Sequence, residues 1–496
     1  MIEGVADATF TATHAGEPAV SASTIVASFE APWWAPATRV CLLLLTDLTA
    51  LSLSATAAWL VWANGVLHQP AQLYLNLLPL LALFALGYAS AGLYPGFGLG
   101  AVETLRRLTL RSTFLFVMMA AGAFVLRLPP RYSRATFALA WAASLVLVPL
   151  ARYLVLSRLS RASWWGEPTV LVGGGMRIRR VVRLLNAAVS LGYRPVVILS
   201  THPDRESGSI EGVPVAGGVD LAQALADRGA RVALVAGVDS SSWAPLGTWL
   251  QRYFRHVVLL RDSDDLPVEG VAIRNLGGVL GIELSNSAIR VGNRIVKRLM
   301  DLVVGGIAFV VCVPVIALGA ALIKLGDRGP VFFSQERIGR AGRRIRVWKL
   351  RTMRGDAEDR LEEYLRSNPE ARREWEERFK LPRDPRVIPV IGTLLRRLSI
   401  DELPQLVSVL KGEMSLVGPR PFPQYHLARF PDEFCELRRS VRPGITGLWQ
   451  VIVRSNGGVE EQRLYDTYYI RNWSIWMDLY ILVKTVAAVV TGRGAY

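Results

Sequence analysis

The chain has 496 residues, 51% of them hydrophobic, with a mean hydropathy of +0.30 and a formal charge of +16. This is too long for one ordinary core and implies three or four units; such hydropathy beside 57 Lys and Arg argues against a purely soluble protein. No basic-aromatic array or nucleic-acid motif accompanies the charge, so no nucleic-acid partner is expected and an anionic membrane surface is favoured.

Residues 1–36, rich in Ala, Thr, Ser and Pro with Glu3 and Asp7 near the start, read as a disordered tail and not as a signal peptide, whose start is basic. Four apolar segments follow, near Val40–Trp62, Leu73–Leu93, Leu108–Leu128 and Ala135–Leu156. Each can cross ~30 Å of hydrocarbon, which predicts a four-helix transmembrane bundle over residues 37–160. Arg39, the cluster Arg106, Arg107 and Arg111, and the cluster Arg152, Arg158 and Arg161 fall on one side, which the positive-inside rule makes cytoplasmic. Arg127, Arg131 and Arg134 lie on the other side and oppose that orientation. Asp47 sits inside the first segment, where it is either hydrogen-bonded within the bundle or functional. Cys41, Cys312 and Cys435 are too far apart for a metal site or a disulfide framework.

Residues 165–288 alternate short apolar runs with helical stretches, as in a Rossmann-like α/β domain. Strands are predicted at Thr169–Gly174, Pro195–Ser200, Val232–Gly237 and His256–Leu260, with helices at Arg177–Leu191 and Asp220–Asp227. Gly173-Gly-Gly175 opens the first helix, but Arg179 occupies the third-glycine position and Ser200 stands where a ribose-binding acid would end the second strand. The fingerprint for a dinucleotide is incomplete, so a structural or regulatory role is expected.

The next apolar run, Leu302–Ile323, is long enough to span, yet both flanks are basic and Pro314 lies in its middle. A helix that enters, is broken at Pro314 and returns to the same face fits these facts; a plain fifth crossing is the alternative. Arg337–Arg354 then carries eight cations and no acid, as suits phosphates or anionic headgroups. Residues 355–380 read as one exposed helix laced with ion pairs, without chemistry of its own.

Ser399-Ile-Asp-Glu-Leu-Pro-Gln405 is the most informative stretch. Ser399 is placed to cap a helix whose first turn holds Asp401 and Glu402, where free N–H groups keep a carboxylate ionised and able to attack phosphorus. The same residues also satisfy a purely structural capping box.

From Asn293 onward the chain resembles the bacterial polyprenyl-phosphate hexose-1-phosphate transferases, the monotopic phosphoglycosyl transferases. The resemblance rests on Lys297-Arg-x-x-Asp301, Gln335-x-Arg-x-Gly339, Lys349-x-Arg-Thr-Met353, Asp384-Pro-Arg386, Ser399–Gln405, Lys411-Gly-Glu-Met-Ser-Leu-Val-Gly-Pro-Arg-Pro421 and Arg442-Pro-Gly-Ile-Thr-Gly447, all in order. Tyr94-Pro-Gly96, Glu103-Thr-Leu-Arg-Arg107 and the ending Thr491–Tyr496 extend it across nearly the whole chain, to the large branch typified by undecaprenyl-phosphate galactose phosphotransferase. It implies an α+β catalytic domain over residues 293–496 on the cytoplasmic face of a bacterial inner membrane. The implied reaction moves hexose-1-phosphate from a UDP-sugar to undecaprenyl phosphate and releases UMP, beginning a surface polysaccharide. By the same resemblance Asp401 is the nucleophile and Glu402 its partner, while Arg396, Arg420, Arg442, Lys349 and Arg351 bind phosphate or nucleotide. Mg²⁺ is expected, held by Asp401 and Glu402, because a pyrophosphate and a carboxylate repel without it. The sequence departs from the pattern at Val313, where many relatives have Ser, and at Ile400, where Leu is commoner. Galactose is favoured as the sugar with glucose as alternative, and a homodimer is expected.

Two readings of other classes compete. A membrane-bound nucleotide-sugar dehydratase or epimerase needs a full glycine fingerprint and a Tyr-x-x-x-Lys pair, and Tyr480-x-x-x-Lys484 lies far from the glycine turn in an apolar helix. A transporter for the lipid-linked sugar leaves the large polar portion without purpose.

Overall fold

A computed structural model describes residues 32–491 except 126–132, 161, 163, 202–207, 240–241, 261–270, 277–278, 285–290, 328, 355, 379–383, 429 and 454–458. Most of the expected N-terminal tail, Arg127, Arg131 and the last five residues therefore lie outside the described residues. The chain forms two compact units, Met1–Asp264 and Asp265–Tyr496.

In the first unit, four apolar stretches become helices, three of them long: α1 (Ala35–Ala58, continuing as a π-helical turn over Trp59–Asn64), the ten-residue α2 (Leu81–Ser90), α3 (Ala101–Val125) and α4 (Arg134–Leu159). Helix α1 begins at Ala35, inside the stretch expected to be tail, with Pro36 in its first turn, where a missing N–H costs nothing. With the short helical segments that precede α2, each region is long and apolar enough to cross a membrane. Ala50, Leu51, Phe84, Tyr88, Leu108 and Val148 from all four helices meet in one buried cluster. Asp47 of α1 is fully buried there and accepts from Tyr94 Oη at 2.6 Å and from Arg152 Nη2 of α4 at 2.8 Å. The hydrogen-bonded alternative for Asp47 is the one the structure shows.

Four parallel strands follow: β1 (Glu167–Gly173), β2 (Tyr193–Leu199), β3 (Val232–Ala236) and β4 (His256–Leu260), in spatial order β2-β1-β3-β4. Burial of β1 and β3 on both faces explains their unbroken apolar runs. Helices α5 (Gly175–Ala187), α6 (Ala222–Asp227) and α7 (Trp243–Leu250) belong to the same layered unit, with two apolar clusters around the sheet. The glycine turn is consumed by packing: a Cβ on Gly173, whose φ is +145°, would lie 1.7 Å from the Ala236 carbonyl oxygen, and one on Gly237 would lie 2.5 Å from that of Gly174.

The second unit opens with a hairpin of β5 (Val271–Leu276) and β6 (Val279–Leu284), then α8 (Val291–Gly326), 36 residues without interruption. Pro314 lies inside that continuous helix, so the chain stays helical on both sides of the expected break. A second hairpin, β7 (Phe332–Ile338) and β8 (Arg344–Leu350), turns at Ala341, whose φ is +56°. The single helix expected over residues 355–380 is two, α9 (Ala357–Ser367) and α10 (Pro369–Arg378). Pro369 disfavours helical backbone in the residue before it; Asn368 is extended and its Oδ1 accepts from Ala371 N at 3.2 Å. Beyond them come α11 (Ile391–Arg397), a 3₁₀ segment (Ile400–Gln405), α12 (Leu406–Lys411), β9 (Ser415–Val417), α13 (Asp432–Arg439), β10 (Gly444–Thr446), α14 (Val459–Arg471) and α15 (Ile475–Thr491). Strands β9 and β10 pair in parallel.

Both ends of α8 are fastened to this polar unit. Near its start, Arg298 donates to the carbonyls of Val409 and Leu410 at 2.7 and 2.8 Å, and buried Asp301 accepts from Ser415 Oγ and Leu416 N. Lys297 Nζ lies 2.6 Å from Asp478 Oδ2 of α15. Near its end, Ile316, Ala320 and Ile323 pack with Leu350, Leu395 and Ile400. Between these anchorages Val303, Ile307, Val310 and Val311 are exposed.

Candidate active site

The expected capping box does not form. Ser399 has φ +54° and ψ +23°, a left-handed conformation, and its side chain makes no cap; Ile400–Gln405 is a 3₁₀ segment. A serine cap needs extended backbone, and the Glu402 carboxylate is drawn elsewhere by stronger charge-assisted bonds. Its Oε1 accepts from Lys349 Nζ and from Arg420 Nη2, both at 2.7 Å, while Oε2 is 3.5 Å from Arg420 Nη1. A non-glycine residue held at positive φ beside two acids fits local strain retained at a functional turn.

Asp401 is 9% exposed. Burial, followed by the neighbouring Glu402 charge, pushes its pKa up to about 6, against the opposing pull of Lys349, Arg396 and Arg420. Burial opposes ionisation of Glu402 as well, but Arg420 and Lys349 outweigh it and hold this carboxyl well below the usual range. The two adjacent acids thus separate: Glu402 is a fixed anion neutralised by two cations, and Asp401 carries the less compensated charge. Paired acids whose surroundings drive their ionisation apart in this way are the pattern found in acid–base and nucleophilic sites.

Each member is placed by a different element. Lys349 stands near the end of β8, whose Leu350 packs on α8. Arg396, at the end of α11, donates through Nε to Thr352 Oγ1 at 2.9 Å, and its charge acts on Asp401. Arg420 follows β9 and is steadied through its backbone: Arg438 donates to the Arg420 carbonyl and to Asp466. The Arg438 guanidinium also lies over the Phe422 ring, 4.1 Å from its centroid.

Lys349, Arg396 and Arg420, expected to bind phosphate or nucleotide, therefore gather about the two carboxylates. Arg351 does not: it is buried against Asp327, with Nη1 3.1 Å from Oδ2. Arg442 joins another cationic group, where burial and the charges of Arg298 and Arg340 lower its pKa. Thr352, Arg438 and Asp466 were not singled out from sequence, because their partners lie far off along the chain.

Among the described residues, no group of three His, Cys, Asp or Glu assembles to hold a metal. The pair Asp401 and Glu402 nevertheless suits Mg²⁺, which keeps several waters and binds through one or two carboxylates plus substrate phosphates. Glu402 Oε2 is the less engaged of that side chain's oxygens.

The family described as bacterial sugar transferase matches residues 292–492, and one described as a CoA-binding domain matches residues 89–235. A Haemophilus influenzae protein named an uncharacterized sugar transferase is 34% identical over 372 residues, covering 74% of this chain and 78% of its own. Undecaprenyl-phosphate galactose phosphotransferase of Salmonella typhimurium is 31% identical over 373 residues, covering 74% and 77%. UDP-glucose:undecaprenyl-phosphate glucose-1-phosphate transferase of Escherichia coli is 35% identical over 248 residues, covering 48% and 50%. With a charged carboxylate pair at the centre of the matched region and likeness over most of the length of the first two relatives, this chain belongs to the bacterial sugar transferase family.

Proposed function

We propose that this transferase moves hexose-1-phosphate, with galactose as the hexose, from a UDP-sugar to undecaprenyl phosphate, and so begins a surface polysaccharide. The observation that carries the reading is the unequal carboxylate pair: Asp401 is buried with its charge only partly offset, while Glu402 is tied to Lys349 and Arg420.

An oxygen of ionised Asp401 attacks the phosphorus that bears the sugar. The bond from that phosphorus to the UMP oxygen breaks, UMP leaves, and an aspartyl-phosphosugar remains. An oxygen of the lipid phosphate then attacks the same phosphorus, restoring Asp401 and giving a lipid diphosphosugar. Dividing the displacement lets one cationic pocket serve both anionic partners in turn. Lys349, Arg396 and Arg420 supply the positive field, and Glu402 keeps two of these cations in place. Mg²⁺ held by Asp401 and Glu402 would neutralise pyrophosphate charge.

The same proposal gives α8 a re-entrant course, with the catalytic unit on the cytoplasmic face of the inner membrane. Support comes from α8 itself: Arg298 and Asp301 near its start and Ile316–Ile323 near its end contact the same polar unit, which a straight crossing would separate. A tag placed after Tyr496 is expected to react only from the cytoplasm, and periplasmic labelling would refute this course.

Incubating the enzyme with UDP-galactose in the absence of lipid tests the chemistry. A phosphohexose adduct on Asp401, with one UMP released per site, is expected; UMP release that strictly requires lipid, without adduct, overturns the two-step route. The galactose relative supports the sugar assignment by its length of likeness, and comparison with UDP-glucose decides it.

A further inference from the structure

The first unit contains a cavity of about 470 Å³ outside the transferase site. Its walls come from the entry to α1 and from the N-terminal ends of β1, β2 and the turn before β3. Four guanidiniums, those of Arg39, Arg194, Arg228 and Arg231, line it together with only two carboxylates, Glu167 and Asp227. Glu167 is already engaged: Oε2 accepts from Arg39 Nη2 at 2.7 Å, and Oε1 lies 4.0 Å from Arg231 Nε. Arg39 is 1% exposed, and its Nε and Nη1 have no hydrogen-bond partner among the described residues. Its guanidinium also lies over the Phe97 ring, 4.8 Å from the centroid, and the cations of the wall outnumber its carboxylates by four to two.

Location narrows the ligand. Sheets of this parallel, doubly wound kind receive soluble nucleotides beyond the C-terminal ends of their strands. This cavity lies at the opposite ends, where the first apolar helix begins. Tryptophans surround that entry: Trp33 is 89% exposed, and the rings of Trp34 and Trp164 lie 5.7 Å apart. Tryptophan collects at the headgroup level of a bilayer, and arginine matches phosphate oxygens with paired donors.

We propose that this cavity binds the phosphate of an anionic membrane-lipid headgroup, which fastens the α/β sheet to the bilayer surface. The ligand chemistry is a phosphate ester, and its source is lipid rather than solvent. It is independent of the sugar-phosphate reaction and survives if that reading fails.

The full-length protein in detergent is titrated with phosphatidylglycerol, phosphatidylcholine or inorganic phosphate, with retained lipid counted by native mass spectrometry and stability followed by thermal melting. Phosphatidylglycerol alone should be retained and should raise the melting temperature. Removing two interfacial charges with Arg228→Gln/Arg231→Gln should weaken its binding roughly tenfold or more. The charge-matched pair Arg179→Gln/Arg183→Gln, on the exposed face of α5, should leave binding within about twofold. If the first variant fails to fold, Arg231→Gln against Arg183→Gln makes the same comparison at two half-exposed side chains. Equal loss in both variants, indifference to phosphatidylglycerol, or equal protection by inorganic phosphate overturns the proposal.

Discussion

At Gly173 the strand end is closed over by its own chain, whereas the turn at Ser399–Gln405 holds two carboxylates among three cations. Each stretch carries part of a local pattern for binding charged groups, the first an incomplete glycine fingerprint and the second two acids in one turn. In the first, the missing side chain of Gly173 makes room for the Ala236 carbonyl, and that of Gly237 makes room for the Gly174 carbonyl. In the second, burial leaves Asp401 with charge that its surroundings only partly offset. Glycine at a turn reports a need for room, and what fills that room decides between packing and chemistry.

The contrast is broken most directly at Asp401. Asp401→Asn should cut UMP release by at least ~10³-fold, as loss of a nucleophile does, and should abolish the adduct. The folded protein should become more stable at the same time. Its pKa is raised from 3.8 to about 6, so at pH 7.5 ionised Asp401 costs about 3 kcal/mol of stability. That cost is absent below the unfolded pKa and grows as pH rises to the folded one. The melting advantage of the Asn variant should therefore be largest above pH 6 and vanish near pH 4.

Glu402→Gln comes next, with an expected rate loss of ~10²-fold and a lower melting temperature, because Lys349 and Arg420 lose the carboxylate between them. Lys349→Met sharpens the electrostatic side. Removing a cation that favours the Asp401 anion should move the acid limb of the pH–rate profile upward from about 6 by roughly one unit. An unmoved limb would assign that limb to another group.

On the closed turn the signs reverse. Gly173→Ala should destabilise the first unit by about 3 kcal/mol or more, through backbone overlap with Ala236, yet leave turnover per folded molecule nearly unchanged. Gly175→Ala meets open space at φ +73° and should cost only about 1 kcal/mol. Thermal melts beside UMP assays separate the two.

Composition and motif order made much of this legible. The four strands of the parallel sheet appear within a few residues of their sequence positions, because burial on every side or alternation on one face is written locally. Each long apolar segment overlaps helical structure whose ends differ more, α3 beginning at Ala101 and α8 at Val291. Asp401 and Glu402 were legible as a motif, and Lys349, Arg396 and Arg420 join them. Ser399 was misread because the capping rule presumes extended backbone, which this residue lacks. The break at Asn368 was signalled by Pro369 and overridden by charge periodicity. Pairings such as Lys297 with Asp478, 181 residues apart, leave no trace in local spacing; only the folded chain brings them together.

The buried set of Asp47, Arg152 and Tyr94 works as a key in a shaft. Slipping α1 past α4 by one turn, about 5.4 Å, would strand an anion and a cation separately in an apolar medium. The buried ion pair thus opposes axial sliding of the two helices and fixes their register.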